Sequence, residues 1–201
     1  MLKHNIHKKK NHKFYDKKAI EVISKIKYDF TAANKDRKMK FGVISRTIVL
    51  DEMVSDYIKK HPHCTIINIA SGMDTRFDRL DNGQIRWYNV DLENSANFRL
   101  KYIEDTDRVK TLSYSAMDEK WVDEIKIESG NVLIIIEGLT MYLQENDVSD
   151  ILKIINANLI FFYCMPCSVQ ADRSFIFWTN AVFPIVARKK VSSRVAYKRD
   201  I

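Results

Sequence analysis

Residues that suit a nucleoside ligand stand at the ends of four successive apolar segments of this chain. The segments cover residues 65–70, 85–90, 109–114 and 131–137, and the residues at or just beyond their ends are Gly72, Asp91, Ser115 with Asp118, and Glu137. If the segments are parallel strands, their carboxyl ends meet at one edge of a sheet, where such sheets bind ligands. Four positions on one edge form a stronger signal than any one of them.

The first of these positions is a tight turn over residues 71–74. Gly72 permits a positive φ and the close approach of a ligand. A helix predicted to begin near Thr75 directs its free N–H groups toward the same place. Ala70 stands where a dinucleotide-binding turn would carry glycine, so the pattern does not favour a pyrophosphate ligand.

The next two positions offer side-chain oxygens. Asp91 lies roughly 20 residues after the glycine turn, where a carboxylate accepts hydrogen bonds from ribose hydroxyls. It can also cap a helix predicted over residues 92–102, and the two roles are compatible. Ser115 and Asp118 can accept the amino group of adenine, or they can cap the helix that follows them.

Glu137 ends the most apolar strand and is well placed to face a cationic group. Arg46 lies in a helix predicted over residues 42–59. If this helix crosses the site, its guanidinium can hold a carboxylate in a bidentate manner. Otherwise Arg46 is a solvated or surface-paired residue.

The spacing of apolar residues predicts the elements that position these side chains. Helices are predicted over residues 14–26, 42–59, 92–102 and 148–159, a further strand over 159–164, and a loop over 28–40. Strands that alternate with helices indicate an α/β fold with a parallel sheet covered on both faces.

The composition is that of an ordinary globular domain. The chain has 201 residues, of which 46% are hydrophobic and 29% charged, and three cysteines. No apolar run reaches the roughly 18 residues of a membrane span, and the amino-terminal residues lack the apolar segment of a secretory signal. Three cysteines do not form a disulfide framework, so we predict a cytoplasmic protein.

The formal net charge of +7 is concentrated at the two ends, in residues 1–13 and 188–199. A basic arm of this kind can bind nucleic acid or an acidic surface. The first basic segment has no aromatic residues among its lysines and histidines, as a stacking surface requires. We therefore interpret both ends as solvated termini.

Two short motifs are similar to metal sites. The string HPHC over residues 61–64 contains a proline and leads directly into a strand, so we interpret it as a connection. A CxxC over residues 164–167 ends an apolar run, where small apolar thiols are the simpler interpretation. We predict no metal site.

Four motifs in order, NIASGMDTRF, WYNVDL, SAMDEKW and IIEGLTMYL, resemble the family of leucine carboxyl methyltransferases and polyketide-synthesis (tetracenomycin-type) O-methyltransferases. The resemblance covers roughly residues 14–166, with FYDKKAIEVI and SRTIVLDEMV as further support. It implies a Rossmann-like class I methyltransferase fold and S-adenosylmethionine as cofactor.

By this resemblance, each candidate residue acquires a role toward the cofactor. Arg46 would hold the methionyl carboxylate, and Gly72 would lie against the cofactor backbone. Asp91 would bind the ribose hydroxyls, Asp118 with Ser115 the adenine, and Glu137 would face the methionyl amino group.

The resemblance also gives expectations for three further residues. Asp74 and Arg76 belong to the DTR string of the family and would support the turn through an ion pair. Tyr15 lies near the place of an early cofactor-binding lysine, which has no clean match here.

Two departures from the family pattern affect the prediction. Ala70 replaces a usual glycine, which would either crowd the cofactor or stiffen the turn. The family continues with further strands, whereas residues 169–201 show no familiar motif. We therefore predict a basic head over residues 1–13, a helical lid over 14–60, a methyltransferase core over 61–168, and a divergent or truncated segment over 169–201 that lacks the final strands.

The predicted reaction is in-line transfer of a methyl group from S-adenosylmethionine to an oxygen of a small-molecule carboxylate or hydroxyl. A carboxylate, with a pKa of about 4, needs no base at neutral pH, whereas a phenol, at about 10, does. All five histidines lie at or before His63, which favours the carboxylate. Tyr142 is the candidate for ordering the acceptor, and its alternative role is packing in the helix after the central strand.

Three other functions fit parts of the sequence. The basic ends would suit a methyltransferase that modifies tRNA or another nucleic acid. Missing terminal strands would suit a truncated module that binds the cofactor without activity. A nicotinamide oxidoreductase lacks its phosphate-binding glycines here, so it ranks last.

Overall fold

The computed structural model describes residues 14–31, 37–159, 161–167 and 183–186. Its six strands are β1 (Thr65–Ile69), β2 (Arg86–Asp91), β3 (Val109–Ser113), β4 (Val132–Glu137), β5 (Phe161–Cys167) and β6 (Phe183–Val186). Its helices are α1 (Lys17–Lys25), α2 (Arg37–Lys60), α3 (Arg76–Leu80), α4 (Glu93–Leu100), α5 (Lys120–Asp123) and α6 (Glu145–Asn158). A 3₁₀ turn, Thr140–Tyr142, follows β4. The predicted basic head lies outside the described residues, as do the basic tail and most of the segment predicted over 169–201.

The six described strands form one sheet in the order β3-β2-β1-β4-β5-β6. The first five strands in sequence pair in parallel. Strand β6 pairs with β5 in the antiparallel direction and was not predicted from the sequence. The chain order reverses between β1 and β4, and this switch point is the preferred ligand position in an open α/β sheet.

Side chains of the central strands alternate between two apolar layers, because successive strand residues point to opposite faces. Ile66 and Leu133 pack with Val54 of α2 on one face. Ile67 and Ile134 pack with residues of α6 on the other. The predicted α/β class with helices on both faces is therefore confirmed, and Asn68 and Glu137 lie on the face of α2.

Several element boundaries differ from the prediction. Helix α2 begins at Arg37 rather than at residue 42, so the last part of the predicted loop over 28–40 is helical. Helix α6 begins at Glu145 rather than at residue 148, because the Asp147 carboxylate accepts the backbone N–H of Gln144 at 3.1 Å and fixes the earlier start. Strand β5 continues to Cys167, three residues beyond the prediction.

Two other predictions concern connections and membranes. His61 and His63 lie in the turn between α2 and β1, as predicted, and the ring of His61 packs on Tyr57 with centroids 4.6 Å apart. No helix in the described part of the chain combines the length and the apolar character that a bilayer crossing requires.

Candidate ligand site at the carboxyl edge of the sheet

A turn between β1 and α3 forms the centre of the site. Gly72 adopts a φ of 49°, in the left-handed region that glycine tolerates. Its backbone N–H donates to Asp91 Oδ2 at 2.6 Å, and the N–H of Ala70 donates to the carbonyl of Val90 at 2.8 Å. The turn is therefore fixed to the end of β2 without any ligand.

Asp91 also accepts the backbone N–H of Leu92 at its Oδ1, at 2.8 Å. The capping role predicted for Asp91 is wrong, because Leu92 is the N-cap of α4 and no side chain among the described residues caps the free N–H groups of this helix. Each carboxylate oxygen carries two lone pairs, so both retain capacity to accept a second hydrogen bond. Asp91 is partly exposed at the rim, where a diol could meet it.

A cavity of about 280 Å³ lies beside this turn, between α1, α2 and the ends of β1 and β4. Arg46 and Glu137 line it together with Ala70 and Ser71. The Arg46 Nε donates to Glu137 Oε1 at 2.8 Å. Among the described residues, Glu137 is the only hydrogen-bond partner of the Arg46 side chain. The N–H groups of the two terminal nitrogens of Arg46 therefore remain available to a ligand.

Arg76 lies beneath the cavity and is 1% exposed. Its guanidinium donates to Asp51 and to Glu137 Oε2, each at 2.7 Å, and to the carboxylate of Asp74. Burial acts to lower the pKa of Arg76, but the charges of Asp74, Glu137 and Asp51 outweigh it and raise the pKa above its ordinary value. The ion pair expected between Asp74 and Arg76 is present.

The charged network continues toward the amino-terminal helix. Arg79 donates from Nε to Asp51 Oδ2 at 2.7 Å and also donates to Asp16. Asp16 in turn accepts the hydroxyl of Thr75 at 2.7 Å and caps α1 through the backbone N–H of Ala19. We call this set the guanidinium–carboxylate cluster; it comprises Asp16, Arg46, Asp51, Asp74, Arg76, Arg79 and Glu137.

Sequence reasoning missed Asp16, Asp51 and Arg79. A signal for Asp51 existed, since it lies four residues after Thr47 and three before Val54, both buried. An acidic residue on the buried face of a helix requires a partner. Asp16 carried an N-cap signal, since it directly precedes the amphipathic helix α1. Nothing local indicated its contacts with Thr75 and Arg79, which are about 60 residues away in the chain.

Ser115 and Asp118 lie in the turn after β3, next to Asp91, because the N–H of Tyr114 donates to the Asp91 carbonyl at 2.9 Å. Each side chain accepts a backbone N–H two residues later, at 3.3 Å and 3.1 Å. Asp118 thus accepts the N–H of Lys120, the first residue of α5, whereas the Ser115 bond to Met117 lies within the turn and does not cap the helix. Neither residue lines the 280 Å³ cavity, and their role toward adenine stays a prediction.

Two aromatic candidates lie away from the cavity. Tyr142 is 77% exposed in the 3₁₀ turn, so its alternative role as a packed core residue is wrong. Tyr15 lines a separate, larger cleft beside Asp51 and Arg79. From the same segment it is Ala19 that lines the 280 Å³ cavity.

The sheet order, the glycine turn and the acidic residue at the end of β2 are those of the Rossmann-like class I methyltransferase fold. The leucine carboxyl methyltransferase family model matches residues 4–156. The chain therefore belongs to the leucine carboxyl methyltransferase family, which confirms the resemblance.

Individual relatives agree with this assignment. The tetracenomycin polyketide synthesis O-methyltransferase TcmP of Streptomyces glaucescens is 30% identical over 142 residues, covering 69% of this chain and 51% of its own length. The S-adenosyl-L-methionine-dependent methyltransferase dpfgK of Gibberella zeae is 27% identical over 153 residues, with the same coverage. The chain thus spans about half the length of these curated relatives.

Solved structures include an O-methyltransferase family protein from Burkholderia thailandensis. It matches with a TM-score of 0.48 and 14% identity, covering 75% of this chain and 46% of that one.

Proposed function

We propose that this protein binds S-adenosylmethionine along the carboxyl edge of the sheet and transfers its methyl group to an oxygen of a small-molecule carboxylate or hydroxyl. One observation carries the proposal. Two pairs of residues distant in sequence, Arg46 with Glu137 and Gly72 with Asp91, meet at the same edge, at 2.8 Å and 2.6 Å.

The cavity suits the methionyl end of the cofactor. Arg46 presents its terminal nitrogens there, and a planar guanidinium binds a carboxylate through two parallel hydrogen bonds. Glu137 holds Arg46 at Nε, while Arg76 holds the second oxygen of Glu137. Glu137 therefore fixes the orientation of Arg46 and brings a negative charge near the methionyl amino group.

The rim beyond Gly72 suits the adenosine end. Asp91 offers acceptors for the ribose hydroxyls. Leu92 and Met117, which follow Asp91 and Ser115, are 60% and 48% exposed and give the rim two apolar side chains. Apolar side chains together with a few placed polar acceptors are the usual lining of a small-molecule site.

When bound, S-adenosylmethionine supplies a methyl group already activated by its sulfonium. The residues of this chain then need only align the acceptor and exclude water. His61 and His63 lie before β1, at the amino edge of the sheet and therefore opposite the site. Of the described histidines, neither is therefore placed to act as a base at the site, and an acceptor that is ionised at neutral pH requires none, which supports a carboxylate over a phenol.

Incubation of the purified protein with methyl-labelled S-adenosylmethionine and pools of small carboxylic acids, phenols and total tRNA tests the proposal. Base-labile label on a small acid supports ester formation, and base-stable label on a phenol supports the hydroxyl acceptor. Label on tRNA would replace the proposed acceptor class with nucleic acid. Binding of the cofactor without any transfer would support a cofactor-binding module instead.

A further inference from the structure

Arg99 of α4 is a buried arginine that contacts the glycine turn from behind. It is 2% exposed, and its terminal NH1 nitrogen donates to the backbone carbonyls of Gly72 and Asp74, at 3.1 Å and 2.7 Å. These two residues bracket the centre of the turn. Neither the sequence motifs nor the proposed cofactor contacts include Arg99.

The surroundings of Arg99 differ from those of Arg76. Three carboxylates surround the guanidinium of Arg76. In the described part of the chain, the side chain of Arg99 has hydrogen bonds to those two carbonyls alone, and its Nε is buried without a partner. Burial lowers the pKa of Arg99, although the charges of Asp74 and Asp78 oppose this effect.

A buried charge that lacks a hydrogen-bonded carboxylate is costly to fold. A buried polar group without a partner therefore requires an explanation in the structure. Here those contacts draw two carbonyls of the turn back toward α4. Gly72 is then held on both sides, with its carbonyl on Arg99 and its N–H on Asp91.

Unpartnered polar groups also concentrate at this place. Among the described residues, four buried side-chain atoms lack a hydrogen-bond partner, and two of them belong to Ser71 in the turn and to Arg99 behind it. A third belongs to Asn89, which pairs in register with Asn68, and Asn68 donates to Asp74. Unsatisfied groups of this kind are typical of sites where geometry serves a ligand.

From these contacts we infer that Arg99 is a positioning residue for the cofactor, acting through the backbone of Gly72 and Asp74. It sets the turn so that the Gly72 N–H meets Asp91 and the ribose acceptors stay aligned. The inference rests on the proposed function, since it assigns the ligand of the turn as the adenosine part of S-adenosylmethionine.

Calorimetry with two ligands tests this role in the full chain. S-Adenosylmethionine and 5′-methylthioadenosine share the adenosine part, but only the first has an amino-acid end. R99M should weaken both ligands by about tenfold, because the turn that both contact loses its two charge-assisted hydrogen bonds. R99K keeps the charge and should recover part of the affinity for each ligand.

The matched control is R108M, which removes an arginine paired with Asp81 at the opposite edge of the sheet. It should leave both affinities at the wild-type value. Equal affinity in R99M and wild type, or loss for S-adenosylmethionine alone, would overturn the inference. If R99M does not fold, R99Q, which removes the charge but keeps a polar side chain, takes its place, and wild-type affinity of R99Q for both ligands would overturn the inference.

The proposed function fails in a different way from this inference. If the wild-type protein binds neither ligand, the cofactor assignment is wrong. If wild type binds both and the Arg99 variants bind equally well, only the positioning role is wrong.

Discussion

The carboxylate of Asp91 has two roles, one in fixing the turn and one in the proposed binding of the ribose. Its oxygens accept the N–H groups of Gly72 and Leu92, which join the turn, β2 and the start of α4. The remaining lone pairs face the rim. Loss of this side chain therefore removes both the acceptors for the ribose and the contact that fixes the turn.

We expect D91A to reduce the affinity for S-adenosylmethionine by about 100-fold, because each hydrogen bond to a charged group contributes roughly tenfold or more. Titration calorimetry measures the change. D56A, which removes an exposed carboxylate paired with Lys59, is the control and should bind normally. Unchanged affinity of D91A for S-adenosylmethionine would show that Asp91 does not bind the ribose hydroxyls.

Glu137 supports Arg46 in the same way that Asp91 supports Gly72. In E137Q one carboxylate oxygen is replaced by an amide nitrogen, which cannot accept from an arginine, so either Arg46 loses its partner or Arg76 loses one of its three. We expect about tenfold weaker binding of S-adenosylmethionine and unchanged binding of 5′-methylthioadenosine, since Arg46 serves only the amino-acid end. Equal binding of both ligands by E137Q and wild type would restrict Glu137 to a structural role.

At the scale of elements, the guanidinium–carboxylate cluster joins the amino-terminal helices to the sheet. Asp16 precedes α1, Asp51 lies in α2, and Arg76 and Arg79 lie in α3. The four carboxylates and three guanidinium groups of the cluster leave one net negative charge beside the cavity. The helices that cover the cavity are thus held by buried ion pairs as well as by apolar packing.

This arrangement makes Asp16 important for stability. D16A removes the cap of α1 and leaves Arg79 with one carboxylate fewer in a partly buried place, so we expect a loss of about 3 kcal/mol in the free energy of unfolding. Urea denaturation measures it. D29A, which removes an exposed carboxylate that accepts from Thr31, should unfold as wild type does. A D16A curve that overlays wild type would contradict the anchoring role.

The rim of the site could be predicted because strand ends are visible in the sequence. Gly72, Asp91 and Glu137 each follow an apolar run, and parallel pairing brings such ends to one edge. The contact of Asp16 with Arg79 could not be predicted, because it joins elements that no local pattern relates. The early start of α2 at Arg37 was missed for a different reason: three of its first four residues are basic, so they carry too little apolar periodicity to predict a helix.

At the scale of the whole molecule, the ionisation of the Cys64 thiol measures how well the apolar layer between α2 and the sheet excludes water. Cys64 is fully buried beside Ile66 and Leu133. Burial raises the pKa of its thiol from 9.0 to about 11. The folded state therefore favours the neutral thiol, and the contribution to stability is complete below pH 9 and lost as the pH rises through 11.

We expect the stability advantage of wild type over C64A to shrink by about 2 kcal/mol between pH 9 and 11, out of the roughly 3 kcal/mol to which two pKa units correspond in total. Urea unfolding of both proteins at several alkaline pH values measures the difference. The native thiol should also resist iodoacetamide at pH 8. A constant difference across this range, or rapid alkylation of the native protein, would show that the thiol reaches solvent.

The methyl group of Ala70 has two effects that can be measured separately: it strains the backbone of the turn, and it occupies space in the cavity. The φ of 55° at this residue disfavours alanine by roughly 1 kcal/mol, and its side chain lines the cavity. We expect A70G to raise the free energy of unfolding by about 0.5 kcal/mol, since relief of the backbone exceeds the added freedom of the unfolded chain. If cofactor affinity also rises, the methyl group crowds the ligand; if affinity falls, the methyl group had served to stiffen the turn for binding.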